Sequence, residues 1–561
     1  MASANGEDTE RSLLLSNKSA TQNRSVAISC SIYSSTRNDH HFTKRGQKIL
    51  ATLLILVTEL CERLGFYGIL ANLVLFCKDQ LDLPPPWPST ISLVFSGTCY
   101  LTPLVGGWLA DTYTGRYNTI FGSSLLYIIG ALLMLPVSKH DIPFNNTARL
   151  LFFAVALTLI ALGTGGIKAN VSPFGADQVQ RDGPRTVQRF FNWFYFFINL
   201  GSLLAFTVLV WVQERYSLFY GYVITASAII LASVFFSAGR NKYLNMPPCG
   251  SQLTKTAKII YEAASIPRRQ NIPTWLDKAK KVFGGTYSEA QVEDVRSFLR
   301  LLPVFSLFIA FWAIYSQMET TFLIQGTYMK LEIGGFKVPA ASLSIFDIIA
   351  VLVLIPVMDH IVYPLLQRCG FRFTPLRRIG TGILVCVASM VVAGLVEIKR
   401  RRMWEEGHVF NQVVNNEKLS ASDLNIFWQI PQYLLVGAGE VLAGVTGLEF
   451  SYTQSPKNMK GVVMGVYMIT TALGSYMTSL LVIIVRSASN DLWYPSKDLN
   501  KGKMEFFFFL LAGIAMFTFF IFCFVASRYT YKTQPRKTTD VEENDLRLDG
   551  TKSPQLSDSE G

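Results

Sequence analysis

Long apolar stretches dominate this chain and restrict it to one kind of fold. Each holds about 20 mostly apolar residues, the length that a helix needs to cross the hydrocarbon core of a bilayer. We therefore predict an all-α polytopic membrane protein with twelve transmembrane helices. The predicted spans are 49–76, 89–110, 118–137, 149–168, 192–213, 219–238, 298–321, 339–360, 376–396, 425–447, 460–486 and 505–527.

Composition and polar segments divide the chain further. Charged residues make up 16% of the 561 residues, against about 25% in soluble domains. We expect a disordered cytosolic tail at 1–48, a six-helix bundle at 49–238, a cytosolic linker at 239–297, a second six-helix bundle at 298–527 and a disordered cytosolic tail at 528–561. Two helical bundles joined by a linker are a common layout of secondary transporters, whose site lies between the bundles.

Lysine and arginine are concentrated in the loops that follow even-numbered spans. The linker alone carries ten of them. By the positive-inside rule, these loops and both termini face the cytosol. The run Lys399–Arg402, after span 9, contradicts this orientation, whereas the other loops agree with it. The net charge of +12 is then explained by loops near anionic lipid and requires no nucleic-acid partner.

Three charged residues lie inside the first predicted span. Glu59, Glu62 and Arg63 are spaced i,i+3 and i,i+4, so they share one helix face. Each charge inside a membrane costs about 2–3 kcal/mol on insertion scales, so such groups usually mark an ion or substrate pathway. A carboxylate beside an arginine can load and release protons as a cavity opens to either side. The alternative is an inert ion pair between helices.

Other chemistries have no support in the sequence. We find no phosphate-binding GxxxxGK[ST] loop, no nucleophile–base set, and no cysteine or histidine spacing typical of a metal site. We therefore expect neither an enzyme nor a cofactor or metal, and we expect a proton gradient to supply the energy.

Several motifs together resemble the proton-coupled oligopeptide transporters, the solute carrier 15 or peptide transporter family. Glu59-x-x-Glu62-Arg63 resembles the family's ExxER signature. The other matching stretches are GTGGIKANVSPFGADQ (163–178), FFNWFYFFINLGS (190–202), FWAIYSQMETTFLIQG (311–326) and the segment 428–461. The resemblance covers about residues 48–530 and implies a major facilitator superfamily fold. In that superfamily the segment 106–117 would be a cytosolic loop motif in which Asp111 and Arg116 stabilise one access state.

The resemblance also implies roles for single residues. Proton coupling would involve Glu59, Glu62, Arg63 and Lys168, with the lysine balancing the carboxylates across the bundle. Glu440 would hold the amino terminus of the substrate, and Glu449 would be structural. The remaining substrate-binding candidates are Tyr67, Tyr100, Asn192, Tyr195, Trp312, Gln317 and Trp428.

This sequence departs from the family pattern at three positions. Leu70 replaces an arginine that helps bind the substrate carboxylate, and Phe66 replaces the first tyrosine of an aromatic pair. Ser316 replaces a glutamate of helix 7, although Glu319 follows at i,i+3. Carboxylate recognition and proton stoichiometry therefore stay open.

Two features are similar to the endolysosomal peptide/histidine transporters. The segment 397–424 is short, whereas intestinal and renal relatives carry a large domain there. Glu10, Leu14 and Leu15 fit an acidic dileucine signal that clathrin adaptor proteins read. We therefore expect proton-coupled symport of di- and tripeptides and free histidine at an endosomal or lysosomal membrane, with the plasma membrane as the alternative, and glycosylation at Asn145.

Two other functions stay open. One is transport of a non-peptide solute such as nitrate, because Leu70 replaces the arginine that helps peptide transporters bind the substrate carboxylate. The other is a sensor or scaffold that binds substrate and recruits cytosolic partners through its tails and linker.

Overall fold

Each predicted span is helical in the computed structural model, which describes residues 45–139, 145–248, 250–267, 272–370, 372–414, 417–456, 459–494 and 498–531. Within these ranges, eleven helices are long and apolar enough to cross a membrane. They are helix 2 (Trp87–Thr114), helix 3 (Arg116–Ser138), helix 4 (Asn146–Asp182), helix 5 (Arg185–Arg215), helix 6 (Leu218–Lys242), helix 7 (Glu289–Tyr315), helix 8 (Ala340–Arg368), helix 9 (Pro375–Glu405), helix 10 (Ile426–Gln454), helix 11 (Lys460–Ala488) and helix 12 (Glu505–Arg528). The all-helical membrane fold is thus confirmed.

Helix 1 (Arg45–Leu70) is also long enough to cross a membrane. Its three charged residues make it less apolar than the other eleven helices. It ends six residues earlier than predicted, and a short helix, Leu73–Asp79, follows. The Gln213 side chain donates a 2.7 Å hydrogen bond to the carbonyl of Gly68 and accepts one of 2.7 Å from Asn72. The carbonyl of Gly68 thus bonds to Gln213 of helix 5, close to the point where helix 1 ends. The composition of the apolar run does not reveal this end.

Helices 1–6 pack mainly on one another, as do helices 7–12, and helix 2 lies along helix 11 between the two halves. We call the end of the bundle where helix 1 begins the terminal end, and the opposite end the hairpin end. Two antiparallel hairpins lie at the hairpin end: β1 (Glu332–Ile333) with β2 (Phe336–Lys337), and β3 (Val409–Val414) with β4 (Glu417–Ser422).

π-helical turns interrupt four of the membrane helices, and short helices complete the described structure. The π-helical turns are Ala110–Thr114, Ala205–Leu209, Met358–Val362 and Glu440–Val445. The short helices are Thr321–Thr327, which follows helix 7, and Gln252–Ser265 of the linker, with 3-10 turns at Trp275–Ala279, Lys281–Phe283 and Leu499–Lys501.

The linker folds onto the start of helix 7 through an ion-pair cluster. The Asp277 carboxylate lies 2.9 Å from Lys280 and 2.6 Å from Arg296. Glu293 pairs with the same two basic residues at 2.8 and 2.5 Å. The linker also contacts helix 2, because Thr254 accepts a 3.0 Å hydrogen bond from the indole of Trp108.

The basic run at the end of helix 9 is neutralised locally. Arg400 is fully buried against Glu397 at 2.7 Å, and Arg401 pairs with Glu405 at 2.7 Å and Glu505 at 2.8 Å. The ammonium of Lys399 lies 3.4 Å from the ring centre of Trp428. These contacts give a physical reason why three of the four basic residues can lie at the hairpin end, and the fourth, Arg402, is exposed.

Candidate functional site

The charged triplet of helix 1 is buried inside the first half. Glu59, Glu62 and Arg63 are 4%, 1% and 6% exposed. The guanidinium of Arg63 lies between the two carboxylates, 3.1 Å from Glu59 and in direct contact with Glu62. Oε1 of Glu62 has no hydrogen-bond partner among the described residues. A Cβ on Gly201 of helix 5 would lie 2.9 Å from the Cβ of Arg63, so helix 5 covers the triplet closely.

Lys168 of helix 4 lies beside the triplet without pairing with it. Its ammonium is 3.7 Å from the ring centre of Phe66 and 4.2 Å from that of Tyr100. Nζ has no hydrogen-bond partner in the described part of the chain. The expected ion pair with Glu59 or Glu62 is therefore not formed in this structure. Arg63 already occupies both carboxylates, and the lysine is held by two aromatic faces instead.

A cavity of about 110 Å³ with several polar lining residues lies between the halves. Its walls come from helices 1, 5, 8 and 10 and from the chain around the end of helix 7. The lining residues are Tyr67, Tyr195, Ile198, Asn199, Ser202, Phe206, Tyr315, Met318, Glu319, Ser344, Asp347, Ile348, Val351 and Glu440. Three of the predicted substrate-binding residues, Tyr67, Tyr195 and Glu440, thus lie at one cavity.

Glu440 begins the π-helical turn Glu440–Val445 of helix 10. Such turns often occur at functional sites because they displace a side chain from the regular helix face. Tyr315 lines the same cavity as Glu440. A Cβ on Gly444 would lie 3.3 Å from Cγ of Glu440, so the small neighbours do leave room for this side chain.

Asp347 of helix 8 is a cavity residue that the sequence reasoning missed. It is 6% exposed, and its Oδ1 has no hydrogen-bond partner among the described residues. A Cβ on Gly437 would lie 2.9 Å from that oxygen, so a glycine of helix 10 makes space for it. The signal was present, since Asp347 is an acidic residue within an apolar span, which is the criterion that singled out Glu59.

The other substrate-binding candidates lie away from the cavity lining. Tyr100 contacts Lys168, and Asn192 is exposed. Trp312 packs edge-on against Phe311, with ring centres 4.9 Å apart. Trp428 is 48% exposed at the hairpin end. Gln317 is fully buried and caps the end of helix 7, where it donates to the carbonyl of Ala313 at 2.6 Å and accepts from Thr321 at 2.9 Å.

Helix 7 explains two of these differences. It stops at Tyr315, and non-helical turns separate it from the helix Thr321–Thr327. The break turns Gln317 into the protein interior and places Glu319 in the cavity wall.

The loop motif after helix 2 forms an ion pair with a residue outside the motif. Arg116 contacts the carboxylate of Asp177 near the end of helix 4. The backbone carbonyl of Asp111 accepts a 2.9 Å hydrogen bond from Gly250 of the linker. The motif therefore joins helices 3 and 4 and the linker at the terminal end.

The two halves are hydrogen-bonded to each other towards the hairpin end. Ser89 and Tyr494 lie 2.7 Å apart, and Thr98 of helix 2 lies 3.0 Å from Tyr476 of helix 11. Asn145 is exposed beside the start of helix 4. Glu10, Leu14 and Leu15 lie outside the described residues.

A helical membrane bundle with a charged cavity between its two halves defines a secondary transporter. Comparison with known proteins makes this assignment specific: a model of the POT family matches residues 117–500, and the chain belongs to that family. Its members are transporters, not enzymes, and use the proton gradient without a cofactor.

Named relatives and solved structures agree with this membership. "Protein NRT1/ PTR FAMILY 8.2" of Arabidopsis thaliana is 35% identical, over 86% of this chain and 94% of that protein. "Solute carrier family 15 member 3" of Mus musculus is 30% identical, over 85% of this chain and 91% of that protein. The crystal structure of an auto-inhibited POT family peptide transporter is similar with a TM-score of 0.73 and 26% identity, covering 87% of this chain and 99% of that one.

Proposed function

We propose that this POT family transporter is a proton-coupled symporter of di- and tripeptides and free histidine that works by alternating access. The observation that carries the proposal is the buried triplet, in which Arg63 links Glu59 and Glu62 and one oxygen of Glu62 is unpartnered. Two carboxylates that share one buried arginine can exchange a proton without leaving the arginine unpaired, and charged groups inside a membrane span usually mark an ion pathway.

The triplet has a short physical route to the cavity. Tyr67 follows Arg63 at i,i+4, so the two side chains share a helix face, and Tyr67 lines the cavity. Protonation of Glu62 would remove one of the two partners of Arg63 and free the guanidinium to move. Lys168, which has no hydrogen-bond partner among the described residues and lies against two aromatic faces, would then pair with a released carboxylate.

The cavity suits a small amino-acid-derived substrate. Its volume of about 110 Å³ is smaller than that of the usual ligand pocket, about 300–1,000 Å³, so the cavity must widen to admit a dipeptide, as alternating access requires. Glu440 offers a carboxylate to an α-amino group, and Tyr67 and Tyr195 supply aromatic walls with polar tips. Hydrogen bonds between the halves at Ser89 and Tyr494 support alternating access, because they can break when the hairpin end opens.

Among the alternatives, nitrate fits this cavity less well. The described residues that line it include three carboxylates and no lysine or arginine. An anion would meet repulsion there, whereas a cationic amine would be attracted. A sensor or scaffold that binds substrate would also use the cavity, but it would not need the buried coupling residues Glu59, Glu62 and Arg63.

We further propose an endosomal or lysosomal location, with the terminal end in the cytosol and clathrin adaptor proteins bound to the signal at Glu10, Leu14 and Leu15. In this orientation the exposed Asn145 lies on the lumenal side, where it would be glycosylated. An acidic lumen would then supply protons for export into the cytosol.

Transport in proteoliposomes tests the proposal. We expect uptake of labelled histidine to require a proton gradient, to stop with a protonophore, and to be inhibited by dialanine. Uptake that does not depend on the proton gradient would contradict the proposal. Inhibition of uptake by nitrate but not by dialanine would also contradict it.

A further inference from the structure

We propose that a groove between the first halves of helices 1 and 5 binds an anionic phospholipid, with the headgroup held by Lys48 and Arg189. The groove lies at the terminal end and has a volume of about 810 Å³. The described residues that line it are all different from those that line the cavity between the halves. A lipid at this position would be a partner distinct from the transported substrate.

Helix 5 turns the groove away from the substrate cavity. Tyr195 lines the cavity, whereas Trp193 and Phe197 line the groove. Residues two apart on a helix point about 200° from each other, so the two sites lie on opposite faces of helix 5. Ile49, Leu53 and Trp193 at the groove are 62%, 47% and 52% exposed. Apolar side chains that are exposed on the outer side of a membrane bundle contact lipid tails.

The polarity of the groove changes along the bilayer normal. Lys48 and Arg189 lie near the starts of their helices, and both helices begin at the terminal end. Leu56 and Phe197, which also line the groove, follow them by eight residues each, a rise of about 12 Å. A phospholipid has the same order, with a charged headgroup at the interface and apolar chains deeper in the bilayer. A soluble anion would not require the apolar part.

Basic side chains outnumber acidic ones at the mouth of the groove. Lys48 and Arg189 line it together with one carboxylate, Asp182, and the exposed Arg185 precedes Arg189 at i,i+4. Asp182 pairs with Lys48 at 2.7 Å, which holds the ammonium at the groove, and an ammonium has three N–H donors. The net positive charge favours an anionic headgroup. Anionic lipids are concentrated in the cytosolic leaflet, where the proposed orientation places the terminal end.

The inner end of the groove lies close to the charged triplet. Leu56 is 6% exposed and precedes Glu59 at i,i+3, so the two side chains share a helix face. Helix 5 covers the triplet through Gly201, which lies against Arg63. A lipid chain beside Leu56 would fill the space between the same two helices. We therefore expect a bound lipid to stabilise the packing of helix 1 on helix 5.

Thermal unfolding of the purified full-length protein in mixed micelles tests the proposal. The anionic probe is phosphatidylserine, and the zwitterionic probe is phosphatidylcholine. We expect phosphatidylserine to raise the melting temperature more than phosphatidylcholine at the same mole fraction. The double variant Lys48→Gln, Arg189→Gln should need at least about tenfold more phosphatidylserine for half of the effect. Inorganic phosphate should neither raise the melting temperature nor compete with the lipid.

Tryptophan fluorescence locates the lipid independently of stability. Brominated phosphatidylserine should quench the wild-type fluorescence more than brominated phosphatidylcholine does, because Trp193 lines the groove. Trp193→Phe should remove most of this difference between the two lipids. An unchanged difference in Trp193→Phe would show that the anionic lipid binds elsewhere, and it would contradict the proposal.

Two further double variants control for folding and for general loss of charge. Lys48→Arg with Arg189→Lys keeps both charges and should respond to lipid as the wild type does. Arg368→Gln with Arg372→Gln removes two exposed charges at the terminal end of the second half and should leave the response unchanged.

Four outcomes would overturn the proposal. The first is an equal response of the wild type and the Lys48→Gln, Arg189→Gln variant to phosphatidylserine. The second is equal stabilisation of the wild type by the two lipids. The third is stabilisation by inorganic phosphate, which would indicate a site for a free anion. The fourth is a wild-type dimer in the micelle that this variant loses, because a second copy of the chain would then cover the groove.

Discussion

The ammonium group of Lys168 lies 3.7 Å from the ring centre of Phe66. This contact joins helix 4 to helix 1 one turn beyond the charged triplet. It gives a function to the phenylalanine that stands where relatives were expected to have tyrosine, because an aromatic face can hold a buried cation.

A double-mutant cycle measures this contact. Phe66→Leu should destabilise the protein more in the wild-type background than in the Lys168→Met background, with a coupling of about 0.5–2 kcal/mol. The measurement is the free energy of unfolding of the four proteins in detergent. Strict additivity would show that the two side chains are neighbours without an energetic interaction.

Gly106 of helix 2 should tolerate no side chain. A Cβ there would lie 2.7 Å from Cα of Gly166 in helix 4, so Gly106→Ala should force the helices apart and cost about 1–3 kcal/mol. The adjacent Gly107 is the matched control, since its Cβ would meet only the Cβ of Ala169 at 3.7 Å. Melting temperatures in detergent compare the two variants, and equal stability would contradict the close packing.

The buried pair of Glu397 and Arg400 should be the most sensitive ion pair at the hairpin end. Both side chains are fully buried, so Glu397→Gln would leave the guanidinium without its counterion and cost about 3–5 kcal/mol. The control is Glu405→Gln, which removes a partly exposed partner of Arg401 and should cost less than about 1 kcal/mol. Thermal unfolding of both variants checks the difference.

The fold of the linker should be insensitive to moderate acid. Burial raises the pKa of Asp277, but hydrogen bonds from Lys280 and Thr274 and the nearby Arg296 outweigh burial and hold that pKa well below its usual range. Because the pKa is lower in the folded state, this stabilisation is complete above the unfolded value of about 3.9 and is lost only as the pH falls below it.

Hydrogen exchange of the linker amides, corrected for the intrinsic effect of pH, tests this expectation in the full chain. Protection should be unchanged between about pH 7 and pH 5, and Asp277→Asn should reduce it at both values. A loss of wild-type protection already within this range would show that another titrating group controls the linker.

The helices and the charged triplet were predictable from the sequence because each depends on local patterns. Apolar length locates the spans, and the spacing of Glu59, Glu62 and Arg63 places them on one helix face. Glu440 was also accessible to this reasoning, since it is an acidic residue among glycines in an apolar segment.

The remaining parts of the site depend on contacts between distant segments. Gln213 ends helix 1 from helix 5, and the break after Tyr315 turns Gln317 inward and Glu319 towards the cavity. The pairing of Arg116 with Asp177 depends in the same way on how helix 4 packs. The spacing of residues within one segment cannot predict such contacts. Asp347 is different, because its signal was local and was overlooked.

Proton-driven uptake by Glu62→Gln in proteoliposomes tests the account most directly. The matched control is Glu449→Gln, the same change at a side chain that is 56% exposed and 3.8 Å from Arg378. We predict that Glu62→Gln loses uptake driven by a proton gradient but keeps substrate exchange without a gradient, whereas Glu449→Gln keeps both. Full gradient-driven uptake by a folded Glu62→Gln variant would contradict the assignment of proton coupling to the triplet.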